Sequence, residues 1–201
     1  MTWIKTIPFE EATGSLRVLY DRLAGTSGHV DNIMTAHSLR PHTMKGHMTL
    51  YKYVLHHTGN SVPKWFLECL GVYTSWLNKC DYCVAHHLIG MARLLTDESR
   101  TKAIIGALET ESFRATFTPK EQLALTYARM LTKEPGALEQ SDIQHLRDAG
   151  WADGEILELN QVVSYFCYAN RTVLGLGVNT TGDTLGTSPS DPNDADSWSH
   201  V

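Results

Sequence analysis

The sequence predicts an all-α protein: one helical domain of about eight helices over residues 1–178, followed by an extended C-terminal tail over 179–201. Three observations carry this. Apolar residues recur at three- and four-residue spacing along most of the chain, the period of a buried helix face. Helix starters and stoppers fall between those stretches. Strict two-residue alternation, the mark of a strand, is weak throughout. With 42% hydrophobic and 19% charged residues, the composition is that of a globular chain.

The elements follow in order. Residues 14–25 place Leu16, Leu19, Tyr20 and Leu23 on one face, with Gly25 as a stop. Residues 40–58 begin near Pro41 and carry Met44, Met48, Tyr51 and Leu55 in one stripe. Ser61 opens the next helix with Pro63 in its first turn, where a missing N–H costs nothing, and it runs to about Leu77. Asn78-Lys79 is a corner, and the helix beyond it reaches about Leu95. Asp97 caps a helix to about Leu108. Thr118 and Glu121 form a capping box opening a helix to about Thr132. Pro135-Gly136 interrupts the chain. Ser141 caps a helix ended by Gly150. Asp153 caps the last one, with Ile156, Leu159, Val163 and Phe166 inward, ending near Gly175–Gly177. The tail is rich in Asp, Ser, Pro and Gly and reads as extended. Trp198 is costly to leave in water, so it is expected in an apolar groove, on a neighbouring subunit, with a frayed terminus as the alternative.

A net charge of -5 without a long basic run argues against nucleic-acid binding. Glu10 and Glu11 fall where a signal peptide needs an apolar core. No apolar stretch approaches the ~18 residues of a membrane span. The expected site is the cytoplasm. There, the four cysteines do not form a disulfide framework. Cys69 and Cys167, in apolar surroundings, read as buried packing residues.

Chemistry concentrates in Cys80-Asp-Tyr-Cys83-Val-Ala-His-His87. Two thiols three residues apart can bridge. His87, four residues after Cys83, shares its helical face. Glu68 supplies a carboxylate on the preceding helix. A thiol becomes a nucleophile only as thiolate. Cys80 starts a helix, whose partial positive charge lowers its pKa, and Lys79 adds a local charge. His87 or Glu68 can take the proton of Cys83. A neighbouring thiol would trap a sulfenic acid as a disulfide.

Blander readings stand beside this one. Cys80, Cys83 and a histidine are acceptable zinc ligands, but no second ligand pair follows downstream. The thiols could merely pack, and Glu68 taken alone could be a solvated charge. His42, His47 and His145 read as polar-face residues, and His56-His57 as a cationic helix end. His29 and His37 fall in a loop, where either could line a pocket. His86 points about 100° from His87 and reads as structural or solvent-facing.

Glu68, eleven residues, Cys80, two residues, Cys83, three residues, His87 resembles the signature of the alkylhydroperoxidase D-like (AhpD-like) group of the carboxymuconolactone decarboxylase superfamily. The opening IPFEEATGSLRVLYDRL, the late LNQVVSYFCYANRTVLGLGV and the ending with Trp198 and His200 are similar to its peroxidase-related branch, so the resemblance covers most of the chain. It implies an all-helical, self-associating protein without cofactor or metal. Cys83 would attack the peroxide, Cys80 would be the more exposed resolving thiol, and Glu68 and His87 would be the proton relay. The substrate would be hydrogen peroxide or an organic hydroperoxide, and the reductant an external dithiol such as a lipoyl-protein. The AhpD pattern has a histidine where this chain has Tyr82, which implies a shorter relay and weaker turnover. The rivals are a lactone decarboxylase or isomerase using His87 as base, and a non-enzymatic redox-sensing or zinc-binding module.

Overall fold

A computed structural model describes residues 2–24, 29–189, 191, 193 and 194. Among them are nine α-helices and no strand. They are α1 (Gly14–Ala24), α2 (Asn32–Thr35), α3 (Pro41–Tyr51), α4 (Lys64–Leu77), α5 (Asp81–Leu95), α6 (Glu98–Glu109), α7 (Pro119–Lys133), α8 (Gln140–Asp148) and α9 (Asp153–Leu176). A π-helical turn, Lys52–His56, continues α3. Gly25, Trp198 and His200, to which the sequence assigned a stop and a docked tail end, lie outside the described residues.

The centre of the fold is α4, whose residues Phe66 through Ser75 are all buried. It is apolar on every side because α5, α7 and α9 all pack against it. Gly71 lets α9 come close: a Cβ there would stand 2.2 Å from the Phe166 ring. A second apolar cluster joins α1 to α3 through Leu16, Leu19, Tyr20, Met44 and Met48. A third gathers Cys80, Tyr82 and Cys83 with Ala36, Val173 and Val178. No helix among the described residues is long and apolar enough to cross a membrane.

Helix starts refine the sequence reading. The Thr118–Glu121 capping box is present, with the Thr118 amide donating to Glu121 Oε2 at 2.8 Å. Pro63 is an N-cap rather than a first-turn residue. Ser61 does not cap α4; its amide and that of Val62 donate to the Glu158 carboxylate of α9, at 2.9 and 2.8 Å. The cap of α8 is Glu139, two residues ahead of Ser141. α9 begins at Asp153 itself, and the Ala152 amide donates to Glu155 Oε2 at 2.9 Å. α2 was not foreseen. Four residues show no period, and the turn is held from outside: the Asn32 side chain donates to the Asn179 and Thr181 carbonyls at 2.8 and 2.9 Å.

After Gly177 ends α9 in the left-handed region (φ 64°), the chain returns over α2 and α5. Asp183 meets Asn32 and Tyr82. Gly186 lies against Ile89, where a Cβ would fall 2.3 Å from Cγ2. Ser188 accepts from Arg93. Further on, Asn193 accepts from Thr58 at 2.8 Å, and the Asp194 carbonyl accepts from the buried Lys52.

Candidate active site

The corner between α4 and α5 positions the thiols. Asn78 closes α4, and Lys79 takes the left-handed conformation (φ 59°) that a branched side chain resists. This aims the Cys80 amide back at the Ser75 carbonyl, 2.8 Å away, and leaves Cys80 as the N-cap of α5. One turn later Cys83 lies on the buried face. Both thiols are buried, at 0% and 3% exposure. Cys80 is therefore not the more exposed of the two, as the resemblance implied. Ala36, Val173 and Val178 close over this end of α5.

The two thiols form one unit. The Cys83 S–H favours the Cys80 thiolate most, helped by the Cys83 amide and the Asn170 side chain, and these hold Cys80 below its ordinary pKa against burial and the Asp81 charge. Cys83 is pushed well up, first by its bond to Cys80 and then by burial. The expectation that Cys80 is the more acidic thiol agrees with this. Its causes are the thiol pair and Asn170, where the sequence had pointed to the helix start with Lys79 beside it.

Asn170 was missed in the sequence. It is fully buried in α9, donates to Ser75 Oγ at 3.0 Å and accepts from Asn78 at 3.0 Å. The signal was legible: Asn170 continues the stripe of Leu159, Val163 and Phe166, and a polar residue on a buried stripe needs partners.

Glu68 is buried, not solvated, and accepts from His87 Nδ1 at 2.7 Å. With Nδ1 donating, Nε2 carries the lone pair and is the basic nitrogen. Gly90 on α5 makes room for the carboxylate: a Cβ there would be 3.3 Å from Glu68 Oε1. Phe166 supports the imidazole edge-on, with centroids 4.6 Å apart. His56 is also part of this group, its Nε2 4.0 Å from Glu68 Oε1. A cation at a helix end had been expected there.

A cavity of about 60 Å³ opens beside these groups, lined among others by Cys83, Glu68, His86, His87, Tyr51, Tyr165, Met48, Asp31, Tyr82 and Thr187. Cys83, Glu68 and His87 thus share one space, and Cys80 stands behind Cys83, outside the lining. Such a volume admits only a few water-sized molecules.

The other histidines divide. His42 and His145 are exposed, as expected. His47 is not a polar-face residue: it is buried beside His37, Tyr165 and Tyr168, and burial drives its pKa down to about 3. His86 is neither solvent-facing nor idle; it lines the cavity with Nε2 3.5 Å from Asp183 Oδ2. Tyr82, at the position of the pattern's histidine, donates to Asp183 Oδ2 at 2.7 Å, so its hydroxyl holds the returning chain. Cys69 is fully buried as expected, while Cys167 is only partly so.

No family model matches the sequence, and no curated protein matches it. Solved structures do match. An uncharacterized peroxidase-related protein from Ralstonia eutropha, described as an alkylhydroperoxidase AhpD core, superposes with TM-score 0.75 at 18% identity, over 89% of this chain and 92% of its own. A peroxidase-related protein from Silicibacter sp. gives TM-score 0.72 at 20% identity, over 90% and 95%. The debrominase Bmp8, in a complex with 2,3,4-tribromopyrrole, gives 0.67 at 14% identity, over 90% and 92%. With no strand among the described residues, the α4–α5 hairpin at its centre and these structures superposing along nearly its whole length, the chain has the all-helical AhpD-like fold.

Proposed function

We propose that the protein is a thiol-dependent peroxidase working through Cys83 and Cys80. The observation that carries this reading is the shared cavity: Cys83 lines the same small space as a Glu68–His87 pair, and the Cys80 thiol is its hydrogen-bond partner. His87 Nε2 takes one proton from the thiol pair, and the remaining one passes along the Cys83–Cys80 hydrogen bond to Cys80, which leaves the thiolate on Cys83. That sulfur attacks the peroxide; the O–O bond breaks, S–O forms, and the leaving alkoxide takes a proton from His87, steadied by Glu68. Cys80 then attacks the sulfenic sulfur, forming S–S and releasing water. The balance is one hydroperoxide and two thiols to one alcohol, one disulfide and one water. An external dithiol of the lipoyl type restores both thiols by exchange. The cavity volume suits hydrogen peroxide or the head of an alkyl hydroperoxide. Self-association goes with this reading, and the exposed Leu157 and Tyr168 on one stripe of α9 are its surface; light scattering tests it.

A second reading is reductive dehalogenation, favoured by the Tyr51, Tyr82 and Tyr165 rings around the cavity and by the brominated pyrrole of the debrominase. It consumes the same two thiols: one aryl bromide yields one arene, one disulfide and hydrogen bromide. The deciding experiment mixes reduced protein with one equivalent of cumene hydroperoxide, hydrogen peroxide or a bromopyrrole, blocks free thiols and maps peptides. Rapid Cys80–Cys83 disulfide with a peroxide, reversed by dihydrolipoamide, supports the first reading. Disulfide and bromide with the bromopyrrole alone support the second. Free thiols after prolonged exposure to all three sink both.

A further inference from the structure

The returning chain meets the helical body at a group of side chains that peroxide chemistry does not use. His29 Nε2 lies 3.5 Å from Asp31 Oδ1 and 3.5 Å from Asp183 Oδ1, and the three donor atoms all fall within 4.8 Å of one another. We propose that His29, Asp31 and Asp183 form a binding site for a divalent transition-metal ion of the zinc class, which fastens residues 179–189 over the cavity.

The spacing supports this. A tetrahedral ion with bonds of about 2.0–2.1 Å holds its ligand atoms about 3.4 Å apart. Charge-assisted hydrogen bonds draw such atoms closer, to about 2.7–2.9 Å. The donor set also selects the metal. One imidazole nitrogen with two carboxylates suits zinc, cobalt or nickel, whereas calcium and magnesium take oxygen alone. A fourth position stays open for water.

The surroundings are those of a built site. Asp183 is in a tail of polar composition, yet its side chain is completely buried. Its orientation is set from behind by the Asn32 amide, 3.0 Å from Oδ1, and by the Tyr82 hydroxyl, 2.7 Å from Oδ2, as outer hydrogen bonds set metal ligands. Two carboxylates side by side in such a place repel, and a dication removes that cost. Beside them the buried Nε2 of His86 stands 3.5 Å from Asp183 Oδ2, a second imidazole on that carboxylate. Asp31 and Thr187 both line the cavity, so an ion tying residue 31 to residue 183 also fixes part of the cavity wall.

The site is separate from the thiols, which could themselves bind zinc, so the test must tell the two apart. Chelator-treated, reduced full-length protein is titrated with zinc by calorimetry and with cobalt by absorbance. The variants are His29→Ala, Tyr82→Phe and the double Cys80→Ser/Cys83→Ser. Expected are one equivalent of metal, a tetrahedral cobalt spectrum without a thiolate charge-transfer band, and binding retained in the double cysteine variant. His29→Ala leaves the Tyr82–Asp183 bond in place and should weaken binding more than tenfold; Tyr82→Phe should weaken it about 10-fold or more. Zinc should also slow proteolysis within residues 179–189 of the wild type and not of His29→Ala. No uptake, uptake lost with the cysteines, or uptake indifferent to His29→Ala overturns the proposal.

Discussion

The Phe166 ring occupies the space that Gly71 leaves empty, 2.2 Å from where a Cβ would stand, and the same ring braces His87 from 4.6 Å. One missing side chain on α4 therefore sets both the α4–α9 approach and the position of the imidazole. Gly71→Ala must displace Phe166. We expect a loss of about 1–3 kcal/mol, the usual cost of overpacking a core, seen as a lower denaturant midpoint. Thiol reactivity should fall with it. A fully stable Gly71→Ala protein would show that the ring has another place to go.

The Glu68–His87 pair makes the next prediction. Glu68→Gln keeps the shape and removes the acceptor charge; His87→Ala removes the base. Each should slow peroxide consumption by roughly 10²–10⁴-fold at neutral pH, the range of general acid–base help. Stopped-flow rates with folding checked by circular dichroism measure this. Wild-type rates in both variants would leave the thiol pair and Asn170 as sole activators.

The thiols separate by donor chemistry. Cys83→Ala removes the S–H that most favours the Cys80 thiolate, whereas Cys83→Ser keeps a donor there. The apparent pKa of Cys80, followed by thiolate absorbance or alkylation rate against pH, should rise in Cys83→Ala and rise less in Cys83→Ser. Asn170→Ala should also raise it. Equal values in all of these proteins would mean that the helix start alone sets the acidity of Cys80.

His47 predicts how stability varies with pH. Its pKa falls from an ordinary 6.5 to about 3 on burial. Between those values the unfolded chain holds a proton that the native protein refuses, so stability drops as the solution is acidified. The slope from this one group approaches about 1.4 kcal/mol per pH unit, and above about pH 6.5 the penalty vanishes. His47→Gln should flatten the stability profile between about pH 6 and 4. Denaturant unfolding across that range gives the comparison, and identical slopes would mean that His47 is protonated in place.

Much of this molecule is local information. The helices of the 14–24, 41–56, 64–77 and 81–95 stretches follow from apolar spacing, and their ends from prolines, glycines and caps, because those signals act within a turn or two. Cys80, Cys83 and His87 were readable as a group since one helix carries all three, and Glu68 since its helix folds straight back on theirs. Tertiary structure decided the rest. His47 read as a polar-face residue and His86 as structural or solvent-facing from their own helices; α9 and the returning chain cover them. Asn170 became the thiols' partner only when α9 packed against the α4–α5 corner. Asp183, in a stretch whose composition promises solvent, is buried because Asn32 and Tyr82 supply the donors that a buried carboxylate requires. Periodicity records which face of an element is covered. It carries no record of what covers it, because that depends on contacts between residues far apart in the chain.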